Sequence, residues 1–384
     1  MTTIIQAHDP SDFLALVPTL AGFQPSDSVV LVAFRGNRTC GALRVDLPPE
    51  NAAAPVRKAF VSTALGMICK IPGADALVPV IYTDDTFERY SGPPRRALVT
   101  NLTTRARHDG FLVRDALCVA ADGWGSYLGD CPRRGHPLEA ITESAARHNL
   151  DGLPVRPTLS ELEAEAKLDP ADPISGERVT QRYKELNLLR ESAELAPVMY
   201  WEYSFDGDIV GFADDLLLAL PSDDSDDVVK DAALLAFLVQ SPAVRDVFLI
   251  TFAWGTSSGD ECALTQRMFT AGEDISSMPG AGALGGWDMP RPDPNRIGRA
   301  LDVLRYAAAR VPRSATPPLL TMIAWLHWAL GEGTVAMRWV ELAQLIDPDF
   351  GLAELLATML GTGHLPDWAF DVPPDATIGP AIDS

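Results

Sequence analysis

The sequence predicts an α/β (α+β) protein, in which an N-terminal mixed β-sheet with packed helices is followed by an all-helical C-terminal domain. Two observations predict this class. Helical and strand patterns alternate over residues 1–151, as they do where helices pack on the faces of a sheet. From Glu177 onward the apolar residues follow helical spacing throughout, so we expect no sheet in the second half.

The first predicted elements are a helix and a β-hairpin. Asp9-Pro10 supplies an N-cap and a proline for a helix with an apolar face. The run from Ser28 to Phe34 is apolar enough to be buried on both faces of a sheet, and the turn Arg35-Gly36-Asn37-Arg38 leads into a second strand from Thr39 to Leu47.

Helices and strands continue to alternate after the hairpin. Helices are predicted from Asn51 to Cys69 and from Pro94 to His108, and strands from Ala76 to Tyr82 and from Phe111 to Ala120. Pro79 lies inside the first of these strands. Because proline donates no ladder hydrogen bond, we expect that strand to lie at the sheet edge or to carry a bulge.

The composition of the chain changes after Gly129. We expect residues 1–151 to form the sheet domain, residues 152–176 a connector with one short helix, and residues 177–365 the helical domain. The tail, residues 366–384, is predicted to be loosely ordered. Apolar spacing marks helices near Val179–Leu195, Ile209–Leu220, Val228–Val239, Pro242–Trp254 and Ile297–Ala309.

Residues 317–350 have the spacing of a single tetratricopeptide-like helical hairpin. Small residues such as Ala324 and Ala336 let two antiparallel helices approach closely, and Asp347-Pro348 ends the second helix. A working solenoid needs about three repeats, and a convincing second repeat is absent. Two interpretations stay open: a hairpin packed on its own domain, or a groove for a partner's peptide.

The charge balance excludes some classes of function. With 31 basic and 52 acidic residues, the net charge of -21 would repel a phosphate backbone, and no basic stripe with interleaved aromatic residues is present. We therefore expect no nucleic-acid partner. The apolar stretches are interrupted well before the roughly 18 residues that a membrane helix needs, so we expect no membrane association.

The cysteines predict a reducing compartment. They are odd in number, far apart and without a CxxC pair, and the N-terminus has no signal-peptide pattern. We expect a soluble cytoplasmic protein with reduced thiols at Cys40, Cys69, Cys118, Cys131 and Cys262.

The segment from Trp124 to His136 is the best candidate for a site, because it gathers reactive side chains just past a predicted strand. Cys131 with His136 can act as a nucleophile and its base, Ser126 offers a hydroxyl, and Trp124 and Tyr127 can contact a ligand. Zinc would need two further suitable ligands, so we expect no metal and no cofactor. The structural alternative is a hairpin in which Trp124 and Tyr127 cap the sheet.

Three arginines are candidates for specific contacts. Arg35 and Arg38 flank the first predicted turn and can bind an anionic ligand or partner. Alternatively, their side chains lie on a solvated face or form internal ion pairs. Arg245 has no acidic residue four positions away, so we expect it to be partly buried with a tertiary partner.

The run Gly280 to Gly285 matches the dinucleotide-binding fingerprint literally, but no strand precedes it and no helix follows. The sequence therefore predicts a flexible surface loop there, not a phosphate site.

Three stretches resemble one family. They are residues 17–34, residues 291–366, and the segment Gly123 to Pro137 with its Trp-x-Ser-Tyr pattern. Together they resemble the proteins grouped as domain of unknown function 4192, a family with no established activity. Members of this family often carry a cysteine where this chain has Gly129, so the resemblance does not support a metal or disulfide role for Cys131.

The absence of an assembled catalytic motif and the helical hairpin favour a cytoplasmic, non-enzymatic protein-interaction or regulatory module whose helical domain holds a protein partner. The alternative is an enzyme or binding protein for a small anionic metabolite or nucleotide, with its site near Trp124 to His136. A cleft with Cys131 and His136 within hydrogen-bond distance would favour the alternative. Side chains buried in the core would favour the module.

Overall fold

The structure, a computed structural model, describes residues 7–148, 157–158, 160–161, 164, 166–192, 208–218, 225–276, 278 and 280–370. The chain divides into two units, one made of Met1–Leu162 with Phe370–Ser384 and the other of Glu163–Ala369. The first contains a mixed sheet with helices and the second is all-helical, which confirms the predicted fold class. Some predicted segments lie outside the described residues: 149–156 with most of 159–165, 193–195, 219–224 and the tail from 371.

The first unit contains one mixed sheet. Its strands are β1 (Ser28–Arg35), β2 (Arg38–Asp46), β3 (Ala76–Tyr82), β4 (Leu112–Val113), β5 (Leu117–Ala120) and β6 (Gly123–Ser126). The strand order is β2-β1-β3-β5-β6, and β4 also pairs with β3. The β1–β2, β1–β3 and β5–β6 pairs are antiparallel, whereas β3 runs parallel to β4 and β5.

Helices cover both faces of this sheet. They are α1 (Pro10–Ala21), α2 (Ala54–Ile68), α3 (Phe87–Tyr90), α4 (Arg96–His108), α5 (Glu139–Thr142) and α6 (Ala145–His148). Val30 and Val32 of β1 pack in one core with Phe13 of α1, whereas Val29 and Leu31 pack in another with residues of α2 and α4. The strand is buried on both faces, as its unbroken apolar run predicts.

The prediction that Pro79 places its strand at an edge is wrong. β3 is central, with β1 on one side and β4 and β5 on the other. On the parallel side, β4 lies opposite Ala76 and Leu77, and β5 lies opposite Val80 to Tyr82. Pro79 falls between these two segments, so its missing N–H donor coincides with a break in the neighbouring strand rather than in β3 itself. The same break divides the predicted strand from Phe111 to Ala120 into β4 and β5.

The second unit is built from helices in its described residues. They are α7 (Pro173–Ser192), α8 (Ile209–Leu218), α9 (Asp226–Leu238), α10 (Pro242–Trp254), α11 (Thr256–Thr270), α12 (Pro294–Ala308), α13 (Pro317–Ala329), α14 (Gly333–Gln344) and α15 (Gly351–Gly361). None of the helices in the described part of the chain is long and apolar enough to cross a membrane.

The sequence does not predict α11. The helix starts with serine, glycine and aspartate at residues 257–260, which are weak helix formers. Its position depends on tertiary packing: a Cβ at Gly259 would overlap the hydroxyl of Thr251 in α10, so only glycine allows the two helices to come this close.

The predicted flexible loop from Gly280 to Gly285 is instead packed against the tryptophan core of this unit. Trp325 Nε1 donates a hydrogen bond to the carbonyl of Leu284 at 2.9 Å, and His364 Nε2 lies 2.8 Å from the carbonyl of Gly285. Ala283 is buried. These backbone carbonyls accept hydrogen bonds from core side chains, and this role requires a fixed loop.

The packed chain continues beyond Pro366, where the sequence predicts a loose tail. Trp368 is buried, and its Nε1 donates to the carbonyl of Ala329 at 2.9 Å. Asp367 N donates to the carbonyl of Gly286 at 2.8 Å. Residues 371–384 lie outside the described part.

Candidate functional site

The candidate segment consists of strand β6 (Gly123–Ser126) and a turn that leads back to an antiparallel bridge with that strand. Trp124 and Ser126 belong to β6, which pairs with β5 at the sheet edge. The chain then turns back so that Trp124 and His136 exchange both backbone hydrogen bonds, at 3.0 and 2.7 Å. Gly123 lies beneath this contact, where a Cβ would come within 2.9 Å of two backbone carbonyl oxygens.

Trp124 has a structural environment. Its side chain packs in the core between the sheet and α1, and its Nε1 donates to the carbonyl of Pro137 at 3.1 Å. The His136 ring lies over the indole, with ring centroids 4.6 Å apart and planes inclined by 31°. Trp124 therefore caps the sheet, as the structural alternative predicts.

The hydroxyl of Ser126 makes three hydrogen bonds. Its Oγ donates to a carboxylate oxygen of Asp115 at 2.6 Å and accepts from the backbone N–H groups of Leu128 and Gly129, both at 3.0 Å. These bonds form the turn after β6. The Asp115 carboxylate accepts the Ser126 hydroxyl proton, but the two backbone N–H groups occupy the oxygen lone pairs that a nucleophilic attack would need.

Cys131 packs against the sheet. Its Sγ occupies the space above Gly125, because a Cβ at Gly125 would overlap that sulfur. Burial raises the pKa of the Cys131 thiol, so the thiolate that a nucleophile requires is disfavoured. Cys131 Sγ contacts the carbonyl of Pro132 at 3.5 Å, and no hydrogen bond joins Cys131 to His136 in the described residues.

Tyr127 and Cys118 form a second buried contact beside Cys131. Burial raises the pKa of Cys118 to about 12, and burial together with the neighbouring Cys118 raises the pKa of Tyr127 well above its usual value. The Tyr127 hydroxyl donates to the carbonyl of Pro94. Both groups stay neutral at physiological pH and hold the segment to the loop before α4.

The two hairpin arginines have different surroundings. Arg35 donates to the carbonyl of Pro72 and lies against Gly73, whose φ of +72° favours glycine. Arg35 thus fixes the loop before β3. Arg38 is exposed at the start of β2.

The described residues contain no group of three or more histidine, cysteine, aspartate or glutamate side chains arranged to hold a metal ion. The segment therefore brings Trp124, Ser126, Tyr127 and Cys131 into structural contacts, and it does not assemble Cys131 and His136 into a catalytic pair.

A family model with the description "Domain of unknown function (DUF4192)" matches residues 10–271. The chain belongs to this family. The DUF4192 region covers the described sheet and helices from α1 through α11, and the hairpin of α13 and α14 lies beyond it. No curated protein and no solved structure matches the chain.

Two pockets stand out in the described residues, and both lie in the DUF4192 region of the helical unit. The wider, of about 450 Å³, lies between α7 and α9. Its charged side chains neutralise one another: Arg182 lies 2.8 Å from Glu185, and Arg178 pairs with Asp226. It therefore offers no concentration of one sign of charge.

The second pocket, of about 20 Å³, lies at the start of α10. It is lined by Asn187 and Arg190 of α7, by Gln240 and Ser241 before α10, and by Val244. Sequence reasoning missed it. The one available signal is Ser241-Pro242, a serine N-cap followed by proline, which predicts a helix start and nothing about a ligand.

Arg245 lies one turn further along α10 and is 7% exposed, which confirms that it is buried. Its guanidinium carbon lies 5.5 Å from the ring centre of Phe350, a tertiary contact as predicted. Burial raises the pKa of the neighbouring Asp246 to about 6, although Gln266 Nε2 donates to that carboxylate at 3.0 Å.

Proposed function

We propose that this protein is a cytoplasmic, non-enzymatic protein-interaction or regulatory module, and that its helical unit holds a protein partner. The observation that carries the proposal is the exposure of large apolar side chains at the end of α14 and on α15. Leu345, directly after α14, is 72% exposed, and Leu355 in α15 is 56% exposed. Exposed apolar side chains that cluster are typical of binding surfaces.

The exposed leucine of α15 belongs to a stripe. Leu352, Leu355 and Met359 are three and four residues apart, so they lie along one side of the helix, and Leu352 and Met359 are only partly buried. Of the residues of α15, only Ala353 and Leu356 are buried. We call Leu345 with these three residues the α15 stripe.

The charges beside the α15 stripe suggest the chemistry of the partner. Asp349, in the turn before α15, and Glu354, on the helix itself, are both exposed. An apolar segment flanked by basic residues would complement this surface, and the net charge of -21 would steer such a segment toward the protein.

The likeness of α13 and α14 to a tetratricopeptide hairpin is part of the proposal. Ala324, Ala336 and Ala343 are wholly buried, as the close approach of two helices requires. Leu330 to Glu332 form the short connection that such a hairpin uses. α15 then follows α14 where a further repeat would begin.

The alternative function, a small anionic ligand held by the Trp124 to His136 segment, has weaker support. None of these residues lines either pocket described above.

The free state of all five cysteines supports the cytoplasmic part of the proposal.

The proposal is tested by substituting the α15 stripe. The chain is recovered from its own cells after brief cross-linking, as the original protein, as the Leu345→Glu/Leu355→Glu double variant, and as the Leu264→Glu control. Leu264 is a 48% exposed leucine on α11. We expect one partner that is recovered at least tenfold less with the double variant and equally with the control, at an unchanged unfolding temperature.

Equal recovery of every partner with the double variant would contradict the proposal. The small-ligand alternative would be supported instead if Cys131→Ala or His136→Ala lost a bound small anionic ligand while the double variant kept it.

A further inference from the structure

We propose that the start of α10 is a binding site for a phosphate-class oxyanion, either free phosphate or the terminal phosphoryl group of a larger metabolite. This inference is independent of the proposed protein partner, because it uses other residues of the helical unit. It rests on hydrogen-bond donors that converge on the small pocket and that the fold leaves without acceptors.

The first of these groups is the hydroxyl of Ser241. Ser241 is 3% exposed and lines the pocket, and its Oγ has no hydrogen-bond partner among the described residues. A serine at an N-cap ordinarily accepts a hydrogen bond from the first turn of its helix. Here that bond is absent. A buried hydroxyl without a partner is unfavourable, and an oxyanion in the pocket would give it an acceptor.

The backbone supplies a second set of donors. Pro242 has no N–H, and Arg245 N bonds to the carbonyl of Ser241 at 3.0 Å. The N–H groups of Ala243 and Val244 have no acceptor in the described residues. α10 is 13 residues long, so its N-terminus carries the full partial positive charge of a helix dipole. Backbone donors with this charge bind phosphate and sulfate groups.

A positive side chain lies beside these donors. Arg190 lines the pocket with a side chain that is 28% exposed, and in the described part of the chain its ion pair is with Glu191, at 4.0 Å. Arg245, one turn along α10, does not line the pocket, because its guanidinium packs against Phe350. Asn187 Nδ2 donates one hydrogen bond to the carbonyl of Tyr183 at 3.0 Å, which leaves its second N–H for a ligand.

The size of the pocket limits the ligand. Its volume of about 20 Å³ exceeds the roughly 10–15 Å³ that one water molecule needs on the same measure. This is the space of one water-sized group, so the pocket takes one oxygen atom of the oxyanion, and the rest of the anion must lie outside it.

The test is isothermal titration calorimetry of the full chain with inorganic phosphate and, separately, with glycerol 3-phosphate, at an ionic strength held constant with sodium chloride. The variants are Ser241→Ala and Arg190→Gln. The matched control is Arg182→Gln, because Arg182 lies on the same helix as Arg190 and pairs with Glu185 at 2.8 Å outside this pocket.

We expect saturable binding by the original protein, at least tenfold weaker binding by Arg190→Gln and several-fold weaker binding by Ser241→Ala. The Arg182→Gln control binds as the original protein does. Because the Ser241 hydroxyl has no partner in the part of the chain that the structure describes, we expect Ser241→Ala to keep its unfolding temperature without phosphate and to lose the rise that phosphate causes.

Binding of both probes identifies a phosphoryl group of a larger ligand, and binding of inorganic phosphate alone identifies the free ion; each result supports the site. If neither probe binds saturably, the inference is overturned. So would equal affinity in the original protein, Ser241→Ala and Arg190→Gln.

Discussion

The Trp124 to His136 segment and the start of α10 both gather polar side chains, and they differ in whether the fold satisfies them. In the segment, the Ser126 hydroxyl makes three hydrogen bonds and the Trp124 indole makes one. At the start of α10, the Ser241 hydroxyl makes no hydrogen bond with any described residue. Ser241 is buried and Ser126 is partly buried, so the hydroxyl with less access to water is the one that the described residues leave unpaired.

This difference separates structural polar groups from candidate binding groups. A buried polar group that already has its partners stabilises the fold and has little capacity left for a ligand. A buried group without a partner destabilises the free protein and can gain from a ligand. The Trp124 to His136 segment, which is richest in reactive residue types, is thus structural. The candidate binding site at the start of α10 is formed by residue types that do not by themselves indicate a site.

The largest expected effect tests whether Trp124 is structural. Trp124→Ala removes a buried indole, and we expect a loss of about 3–5 kcal/mol in the free energy of unfolding of the sheet unit. His136→Ala is the control, with an expected loss of about 0.5–1.5 kcal/mol from the ring contact. Hydrogen exchange of the β5 and β6 amides measures both. A loss under about 1 kcal/mol in Trp124→Ala would show that the indole is free to serve a ligand.

Asp246 tests the cost of burying an ionised carboxylate near the start of α10. Burial raises its pKa from 3.8 to about 6, so the folded state binds more protons than the unfolded state between these values. Stability therefore falls as the pH rises from about 4 to about 6. At about 1.4 kcal/mol per pKa unit, the loss approaches about 3 kcal/mol at pH 8.

We expect Asp246→Asn to be more stable than the original protein by up to about 3 kcal/mol at pH 8, with a gain that shrinks toward pH 4. Urea unfolding at several pH values measures the difference. A gain that is the same at every pH would show that the Asp246 carboxyl does not carry the effect.

Gly125 gives the smallest of the three effects and tests the packing of Cys131. In Gly125→Ala the new methyl group would overlap Cys131 Sγ and lie 3.3 Å from the Phe87 ring, so we expect a loss of about 1–3 kcal/mol. Gly129→Ala is the matched control, because its methyl group would lie 3.5 Å from Ser126 Oγ, an ordinary contact. Equal stability of the two variants in hydrogen exchange would show that Cys131 is loosely held.

Local patterns predict most of the elements but not their neighbours in space. The apolar run of β1 and the Asp9 cap of α1 follow directly from residue type, and both are observed. The central position of β3 was missed, because the break opposite Pro79 lies in another strand. α11 was missed, because the packing of Gly259 on Thr251 outweighs a weak helix propensity.

The candidate sites show the same limit. Residue types at Trp124 to His136 predicted a candidate site, yet their hydrogen bonds run to Asp115, Pro94 and Pro137, none of which the pattern indicates. The unpaired state of Ser241 Oγ depends on α7 and α9 closing around it, and that closure has no signature in the sequence.

The most direct test of the comparison is a crystal of the full chain soaked in selenate, an anomalously scattering analogue of phosphate-class anions. Our account predicts an anomalous peak within hydrogen-bond distance of Ser241 Oγ and the Arg190 guanidinium, and none beside Trp124, Cys131 or His136. A peak at the Trp124 to His136 segment, with Ser241 unliganded, would contradict it.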